Sequence, residues 1–114
     1  MLEIDIESRK GILFVRLEGE LCQNTIDKWN EDVKNLLVDA GIRNVVFNMN
    51  HLKRIDFKGI NSLYYGYEIC KNNHGKMVFC CINDYIRDRL KRSRLLHYIS
   101  EADSELSALK LINV

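Results

Sequence analysis

The 114 residues match the usual size of one domain, and 46% hydrophobic with 29% charged residues is ordinary for a soluble globular chain. A net charge of +1 gives no overall attraction to nucleic acid or to an anionic membrane. The longest apolar runs fall far short of the roughly 18 residues that span a bilayer, and the stretch MLEIDIESRK lacks the features of a secretory signal. We therefore expect one domain over residues 1–114 in the cytoplasm.

The chain begins with a predicted hairpin and a helix. LEIDI and GILFVRLEG have the pattern of short strands, with Gly11 near their junction. Asn24 or Thr25 can then cap a helix. The apolar residues of this helix recur at spacings of three and four, which predicts one buried stripe: Ile26, Trp29, Val33, Leu36 and Leu37.

The middle of the chain predicts a strand, a helix and another strand. VVFNM is apolar on both faces, as is typical of a central parallel strand. Asp56 follows, and we expect it to cap a helix that starts near Gly59. KMVFCCI is the next buried strand. The helix between the two strands carries a stripe of Ile60, Leu63, Tyr64, Tyr67 and Cys70, so we expect Tyr64 and Tyr67 to face the core.

The end of the chain predicts two helices separated by a weak strand. Asn83 or Asp84 can cap the first helix, LLHYI is the weak strand, and residues 103–112 form the last helix. The expected buried residues of the two helices are Tyr85, Ile86, Leu90, Leu106, Leu109 and Ile112. The fold class is therefore α/β, a mixed β-sheet of four to five strands with helices packed mainly on one face.

The cysteines and histidines show no metal-ligand spacing. Cys22, Cys70, Cys80 and Cys81 form no CxxC pair, and the three histidines lie in separate segments, so no metal site is predicted. Cys80 and Cys81 fall in a predicted strand, where consecutive side chains point to opposite faces. We therefore expect no disulfide between them and interpret the cysteines as reduced packing residues.

The order and spacing of five segments resemble the STAS domain of bacterial anti-sigma-factor antagonists over nearly the whole chain. These segments are LEGEL, Thr25, IRNVVFNMNHL, IDFKGI and KMVFCCIN. The family motif at the strand-to-helix turn is Asp-Ser-Ser-Gly. Asp56 and Gly59 match it, whereas Phe57 and Lys58 replace the two serines.

The resemblance implies a switch without enzymatic activity that binds an anti-sigma factor, often a serine kinase of the histidine-kinase-like ATPase class. In the family, the kinase phosphorylates the first serine after the Asp, and the added charge expels the antagonist. Phe57 has no hydroxyl group, so we predict no phosphorylation at the usual position. Ser62, three residues after Gly59, is a weak candidate for an alternative acceptor.

We predict that the partner binds around this turn, on a surface more positive than is usual for the family. His51, Lys53, Arg54 and Lys58 supply the charge, and Cys22 stands where typical members carry an acid. Phe57 would be an apolar anchor inside a polar rim. In the alternative, the basic groups form a solvated edge and Phe57 packs against its own helix. The predicted contact residues are Cys22, Asn24, Lys53, Arg54, Asp56, Phe57, Lys58, Gly59 and Ser62.

The remaining motifs do not indicate catalysis or nucleic-acid binding. The run IRDRLKRSR could bind phosphates, but basic residues also suit the C-terminal end of a helix, so no nucleic-acid partner is expected. The chain has no Gly-rich phosphate loop, HExxH or GxSxG motif, and we predict neither enzymatic activity nor a cofactor.

Three functions stay open at this point. The first is an antagonist that cannot be switched off by phosphorylation at the usual turn. The second is a scaffold subunit of a stress-signalling assembly, and the third is a small ligand-binding or transport-associated module. Self-association into a homodimer is also left open.

Overall fold

Five strands form a single mixed sheet in the order β1-β2-β3-β4-β5. The computed structural model of the protein describes residues 1–112. β1 is antiparallel to β2, whereas β2, β3, β4 and β5 are mutually parallel neighbours. The strands are β1 (Leu2–Arg9), β2 (Ile12–Leu21), β3 (Asn44–Ile55), β4 (Met77–Cys80) and β5 (Ser100–Ala102). The predicted mixed sheet of four to five strands is confirmed.

Helical segments connect the parallel strands. Residues 23–39 form one continuous helical segment, in which a 3-10 turn precedes α1 and a π-helical turn separates α1 from α2. The segments are the 3-10 turn (Gln23–Thr25), α1 (Ile26–Trp29), the π-helical turn (Asn30–Lys34), α2 (Asn35–Asp39), α3 (Phe57–Asn72), α4 (Asp84–Arg92), α5 (Leu95–Tyr98) and α6 (Glu105–Ile112). Trp29, Val33 and Leu37 are buried as predicted.

The predicted hairpin between β1 and β2 has a two-residue turn. Lys10 and Gly11 have φ angles of 52° and 80°, and Arg9 pairs with Ile12 across the turn. Positive φ at both central residues matches the right-handed twist of the flanking strands.

The two faces of the sheet carry cores of different size. The larger core is covered by α1 to α5 and centres on Trp29, Phe47 and Phe79, whose neighbouring ring centroids lie 5.3 and 6.2 Å apart. Among residues 1–112, only α6 covers the opposite face, through Ala108 and Ile112. The expectation that helices pack mainly on one face is therefore confirmed.

The prediction of a strand at LLHYI is wrong. Leu95–Tyr98 is the short helix α5, and β5 begins afterwards at Ser100. The chain reverses at Arg94, which has a φ of 68°. One helical turn then places Leu95 and Ile99 on the same side, where both are buried.

Three other residues predicted to be buried are exposed. The side chains of Tyr64, Tyr85 and Leu106 are 44%, 45% and 67% exposed. Each lies on a helix whose buried face is taken by neighbouring positions, such as Ile86 in α4 and Ala108 in α6. The spacing identified the helices and most of their buried residues, including Leu63, Ile86 and Leu90, but packing against the sheet left Tyr64, Tyr85 and Leu106 at the margins of their stripes.

Candidate functional site

The turn at residues 56–59 lies where two parallel strands end side by side. β3 is longer than predicted, because HLKRI continues the strand to Ile55. Leu21, the last residue of β2, pairs with Ile55. The start of α3 therefore lies beside the 3-10 turn that follows β2, at the edge of the sheet where α/β proteins commonly bind ligands.

Asp56 fixes the geometry of this turn. One carboxylate oxygen, Oδ1, accepts the Gly59 backbone N–H at 2.9 Å, and Oδ2 accepts the Gln23 N–H at 2.9 Å. The predicted capping role is confirmed, although α3 begins at Phe57 rather than near Gly59. Since each carboxylate oxygen accepts a backbone N–H, Asp56 is suited to holding the turn rather than to accepting a proton from a substrate.

Gly59 is buried, unlike the exposed Phe57 and Lys58 before it, and its role is in the packing of α3. A Cβ atom at this position would lie 2.2 Å from the Leu21 carbonyl oxygen. No side chain fits in that space. Gly59 was included among the predicted contact residues, but in the structure it permits the close approach of α3 to the end of β2 and offers no side chain to a partner.

A second set of hydrogen bonds shapes the turn after β2. The Thr25 hydroxyl oxygen accepts the Cys22 N–H at 3.0 Å and donates to the Glu20 carbonyl at 2.8 Å. Cys22 is half-buried and Asn24 is exposed. The motif residue Thr25 therefore holds Cys22 and Asn24 at the mouth of the site.

Phe57 projects from the turn into solvent. Its side chain is 75% exposed, so the alternative in which it packs against its own helix is wrong. Lys53, Arg54 and Lys58 are exposed as well. Phe57 is therefore a candidate apolar contact for a partner, with basic residues close to it in the chain.

The turn and α4 together form a shallow depression of about 540 Å³. The depression is lined by Glu20, Cys22, Asn24, Arg54, Ile55, Asp56, Phe57, Tyr85 and Arg89. Five of the nine predicted contact residues line it: Cys22, Asn24, Arg54, Asp56 and Phe57. The depression thus brings together residues from β2, β3, α3 and α4.

Tyr85 and Arg89 were not predicted at this site. The Arg89 guanidinium lies 5.1 Å from the centroid of the Tyr85 ring. Ile86 and Leu90 are buried, so the positions just before each of them share a different face of α4. The sequence signal that could have placed them together is the spacing of four residues between Tyr85 and Arg89, which puts both on one face of a helix.

The charged residues that line the depression are balanced, with Arg54 and Arg89 against Glu20 and Asp56, and the exposed Lys58 adds a positive charge next to Phe57 in the chain. Arg54, Lys58 and Arg89 are exposed, and Glu20 is the acidic lining residue besides Asp56. The Glu20 carboxylate lies 3.9 Å from the Arg54 guanidinium, a distance at which the pair is weak and screened. Lys53 and Lys58 are exposed basic residues outside the lining, so the surplus of positive charge lies beside the depression rather than within it.

Other predicted residues lie outside the depression. The Ser62 hydroxyl donates to the Lys58 carbonyl at 3.0 Å, as a serine within a helix commonly does. His51 lies in a separate hollow with Asp5 and Glu18.

Two of the five basic residues in the run IRDRLKRSR pair with acids of the protein. Arg87 pairs with Glu101, and Arg92 lies 3.0 Å from Asp88.

Across residues 1–112, no group of three or more His, Cys, Asp or Glu side chains is arranged to hold a metal ion. No helix among these residues is long and apolar enough to cross a membrane.

Comparisons with known proteins place these observations in a family. A family model for the STAS domain matches residues 3–108. An anti-sigma F factor antagonist of Paenibacillus polymyxa is 26% identical over 113 residues, which cover 99% of this chain and 97% of that protein.

Solved structures show the same fold at low sequence identity. A candidate anti-sigma factor antagonist of Thermotoga maritima has a TM-score of 0.91 at 11% identity, covering 97% of this chain and 95% of that one. An anti-sigma factor antagonist of Mycobacterium paratuberculosis has a TM-score of 0.88 at 15% identity, covering 100% and 96%.

Proposed function

This chain belongs to the STAS domain family, and from that membership we propose that it acts as an anti-sigma-factor antagonist-like binding protein. Its partner would be an anti-sigma factor, such as a serine kinase of the histidine-kinase-like ATPase class. The contact surface would be the depression between the Asp56–Gly59 turn and α4. Binding would be stoichiometric, without catalysis by this chain.

One observation carries the proposal: Phe57 is 75% exposed at a turn whose backbone is held rigidly in place. Burying an aromatic side chain of this size on a partner contributes strongly to affinity, and aromatic residues are enriched at the centres of interfaces. Because Asp56 already holds the turn through two backbone hydrogen bonds, little ordering is needed on binding.

The positive rim indicates the chemistry of the partner surface. Arg54 and Arg89 line the depression together with the aromatic residues Phe57 and Tyr85, and the exposed Lys58 follows Phe57 in the chain. Carboxylates on the partner would pair with these cations and increase the association rate, while the two rings supply the apolar contact. We therefore expect an acidic partner surface with an apolar pocket at its centre.

Phosphorylation at position 57 is chemically excluded, because phenylalanine has no hydroxyl group. In this proposal the antagonist is not released by a kinase acting at the usual turn position. Release would instead depend on the concentration of the partner or on another modification.

The proposal is tested by affinity capture from the native cell, followed by mass spectrometry. We expect the wild-type chain to recover an anti-sigma factor, and the Phe57→Ala and Lys58→Glu variants to lose it at least tenfold, as for a hot-spot residue. Tyr65→Ala is the matched control, since Tyr65 is an exposed aromatic residue of the same helix. Equal recovery by all variants would remove this surface from contention.

The two other functions remain predictions. A scaffold subunit would elute as a large self-assembled species in size-exclusion chromatography, with or without a homodimer as its unit. A transport-associated module would be captured with a membrane transporter in the same affinity experiment.

A further inference from the structure

Two cysteines at the end of β4 lie closer together than the sequence predicted. β4 ends at Cys80, and Cys81 has a φ of 61°, outside the extended region. The alternation of side chains between faces holds only while the backbone stays extended. The expectation of opposite orientations is therefore wrong, and the two sulfur atoms lie 3.5 Å apart.

We propose that Cys80 and Cys81 form a redox-modification site, at which a peroxide converts the two neighbouring thiols into a reversible intramolecular disulfide. The sulfur atoms already lie in van der Waals contact, so closing the bond requires a displacement of only about 1.5 Å, to the usual S–S length. The left-handed backbone at Cys81 supplies this arrangement before any oxidant arrives.

The different exposure of the two thiols assigns their roles. Cys81 is half-buried and Cys80 is fully buried in the core beneath α6. Burial, together with the neighbouring Cys81 thiol, raises the pKa of Cys80, which is therefore a poor thiolate at neutral pH. Cys81 is the thiol that meets the peroxide, and Cys80 resolves the product.

The chemistry balances with peroxide as the two-electron oxidant. The Cys81 sulfur, after losing its proton, attacks one peroxide oxygen, the O–O bond breaks, and the released hydroxide takes up a proton to become water. Cys81 is then a sulfenic acid. The Cys80 sulfur attacks it, an S–S bond forms, the S–O bond breaks, and the second hydroxide leaves as water with the Cys80 proton. The two thiols lose two electrons and two protons in total.

The disulfide would be easily reduced. Consecutive Cα atoms are about 3.8 Å apart, below the 4.4–6.8 Å usual for disulfide-bonded residues. A disulfide between them is therefore strained, and strained disulfides have more oxidising potentials and tend to be labile or regulatory.

The site also touches the end of the sheet. The Cys81 N–H donates to the Ala102 carbonyl at 3.3 Å, and the Cys81 sulfur lies 3.5 Å from the Asp103 carbonyl oxygen. Both contacts lie just before α6. Closing the disulfide would therefore pull on the junction between β4, β5 and α6, on the side of the sheet opposite the larger core.

The other two cysteines provide internal controls. Cys70 is fully buried in the larger core, and burial raises its pKa to about 11, so it should react slowly. Cys22 is half-buried, like Cys81, but lies at the mouth of the depression. It tests whether exposure alone is sufficient for oxidation.

The experiment treats the folded, reduced chain with hydrogen peroxide, blocks the remaining thiols by alkylation, and analyses the protein by intact mass and peptide mapping. We expect the monomer to lose two hydrogens, about 2 Da, with both of the lost thiols in the peptide that contains Cys80 and Cys81. A mild dithiol should restore both thiols. Cys81→Ser should abolish the loss, and Cys22→Ser should leave it unchanged.

Two outcomes would overturn the proposal. One is stable addition of oxygen to Cys81 while Cys80 remains an alkylatable thiol. The other is a disulfide that links two chains instead of the two neighbours. Circular dichroism of each variant verifies that it is folded, and Cys81→Ala replaces Cys81→Ser if the serine variant is not.

Discussion

The backbone N–H of Gln23 donates to the Asp56 carboxylate at 2.9 Å, across 33 positions of the chain. This bond joins the turn after β2 to the turn after β3, while the other carboxylate oxygen caps α3. The Asp56 side chain therefore joins the two turns at the mouth of the candidate site.

Asp56→Ala tests this relationship. Loss of the cap and of the bond to Gln23 should lower the free energy of unfolding by about 2 kcal/mol, because two backbone donors lose a charged acceptor. Urea denaturation followed by circular dichroism measures the change. Asn24→Ala, at an exposed neighbouring position, should stay within about 0.5 kcal/mol of the wild type. Equal free energies of unfolding for Asp56→Ala and Asn24→Ala would contradict the role of Asp56 in joining the two turns.

Gly59→Ala tests the close approach of α3 to β2. The added methyl group would meet the Leu21 carbonyl oxygen, which is backbone and cannot rotate away, so we expect a loss of roughly 3 kcal/mol. Gly66→Ala in the same helix is the matched control. There the nearest atom is the flexible end of Met77 at 3.1 Å, and alanine is the better helix former.

The expected order of stability is therefore Gly66→Ala at or above the wild type, with Gly59→Ala well below both. Thermal melting of the three proteins gives this order directly. A Gly59→Ala variant that melts like the wild type would mean that the helix can move away from β2 at little cost.

Phe57→Ser restores a hydroxyl group at the family's phosphorylation position. With the kinase recovered in the affinity capture and radiolabelled ATP, we expect label on the Phe57→Ser variant and none on the wild type. Phe57→Ser combined with Ser62→Ala should be labelled to the same extent. Label on wild-type Ser62 would contradict the prediction and place the switch one turn along α3.

The ionic cluster of Arg16 predicts a dependence of stability on pH. Arg16 donates to Glu105 at 2.8 Å and to Asp5 at 2.7 Å. The hydrogen bond from Arg16 lowers the pKa of Glu105 in the folded state. Because the folded pKa lies below the unfolded value of about 4.3, this contribution is present above that pH and is lost as the pH falls through the folded pKa.

Glu105→Gln should therefore lower the free energy of unfolding by about 1–2 kcal/mol at pH 7 and weaken its decline in acid. Urea denaturation at neutral and acidic pH checks both effects. Glu31→Gln, at an exposed position in the helical segment after β2, is the control and should change neither. If the free energy of unfolding of Glu105→Gln fell in acid as steeply as that of the wild type, the decline would be due to other carboxylates.

Local sequence signals determined much of this protein. The hairpin turn at Gly11, the buried stripe of Trp29, Val33 and Leu37, and the cap at Asp56 were all predicted, because each depends on backbone preferences or spacing within a few residues. The motif positions Asp56 and Gly59 also indicated the family and the place of the candidate site.

Tertiary structure alone decided which members of a predicted stripe stay exposed and which distant residues meet. Helical spacing shows that a stripe exists, but packing against the sheet left Leu106 exposed and brought Tyr85 and Arg89 to the depression beside Phe57. The left-handed backbone at Cys81 likewise placed two sulfur atoms together that strand alternation would separate. Leu106, Tyr85 and Arg89 owe their environment to elements far apart in the chain, and at Cys81 the backbone N–H donates to Ala102 of the neighbouring strand.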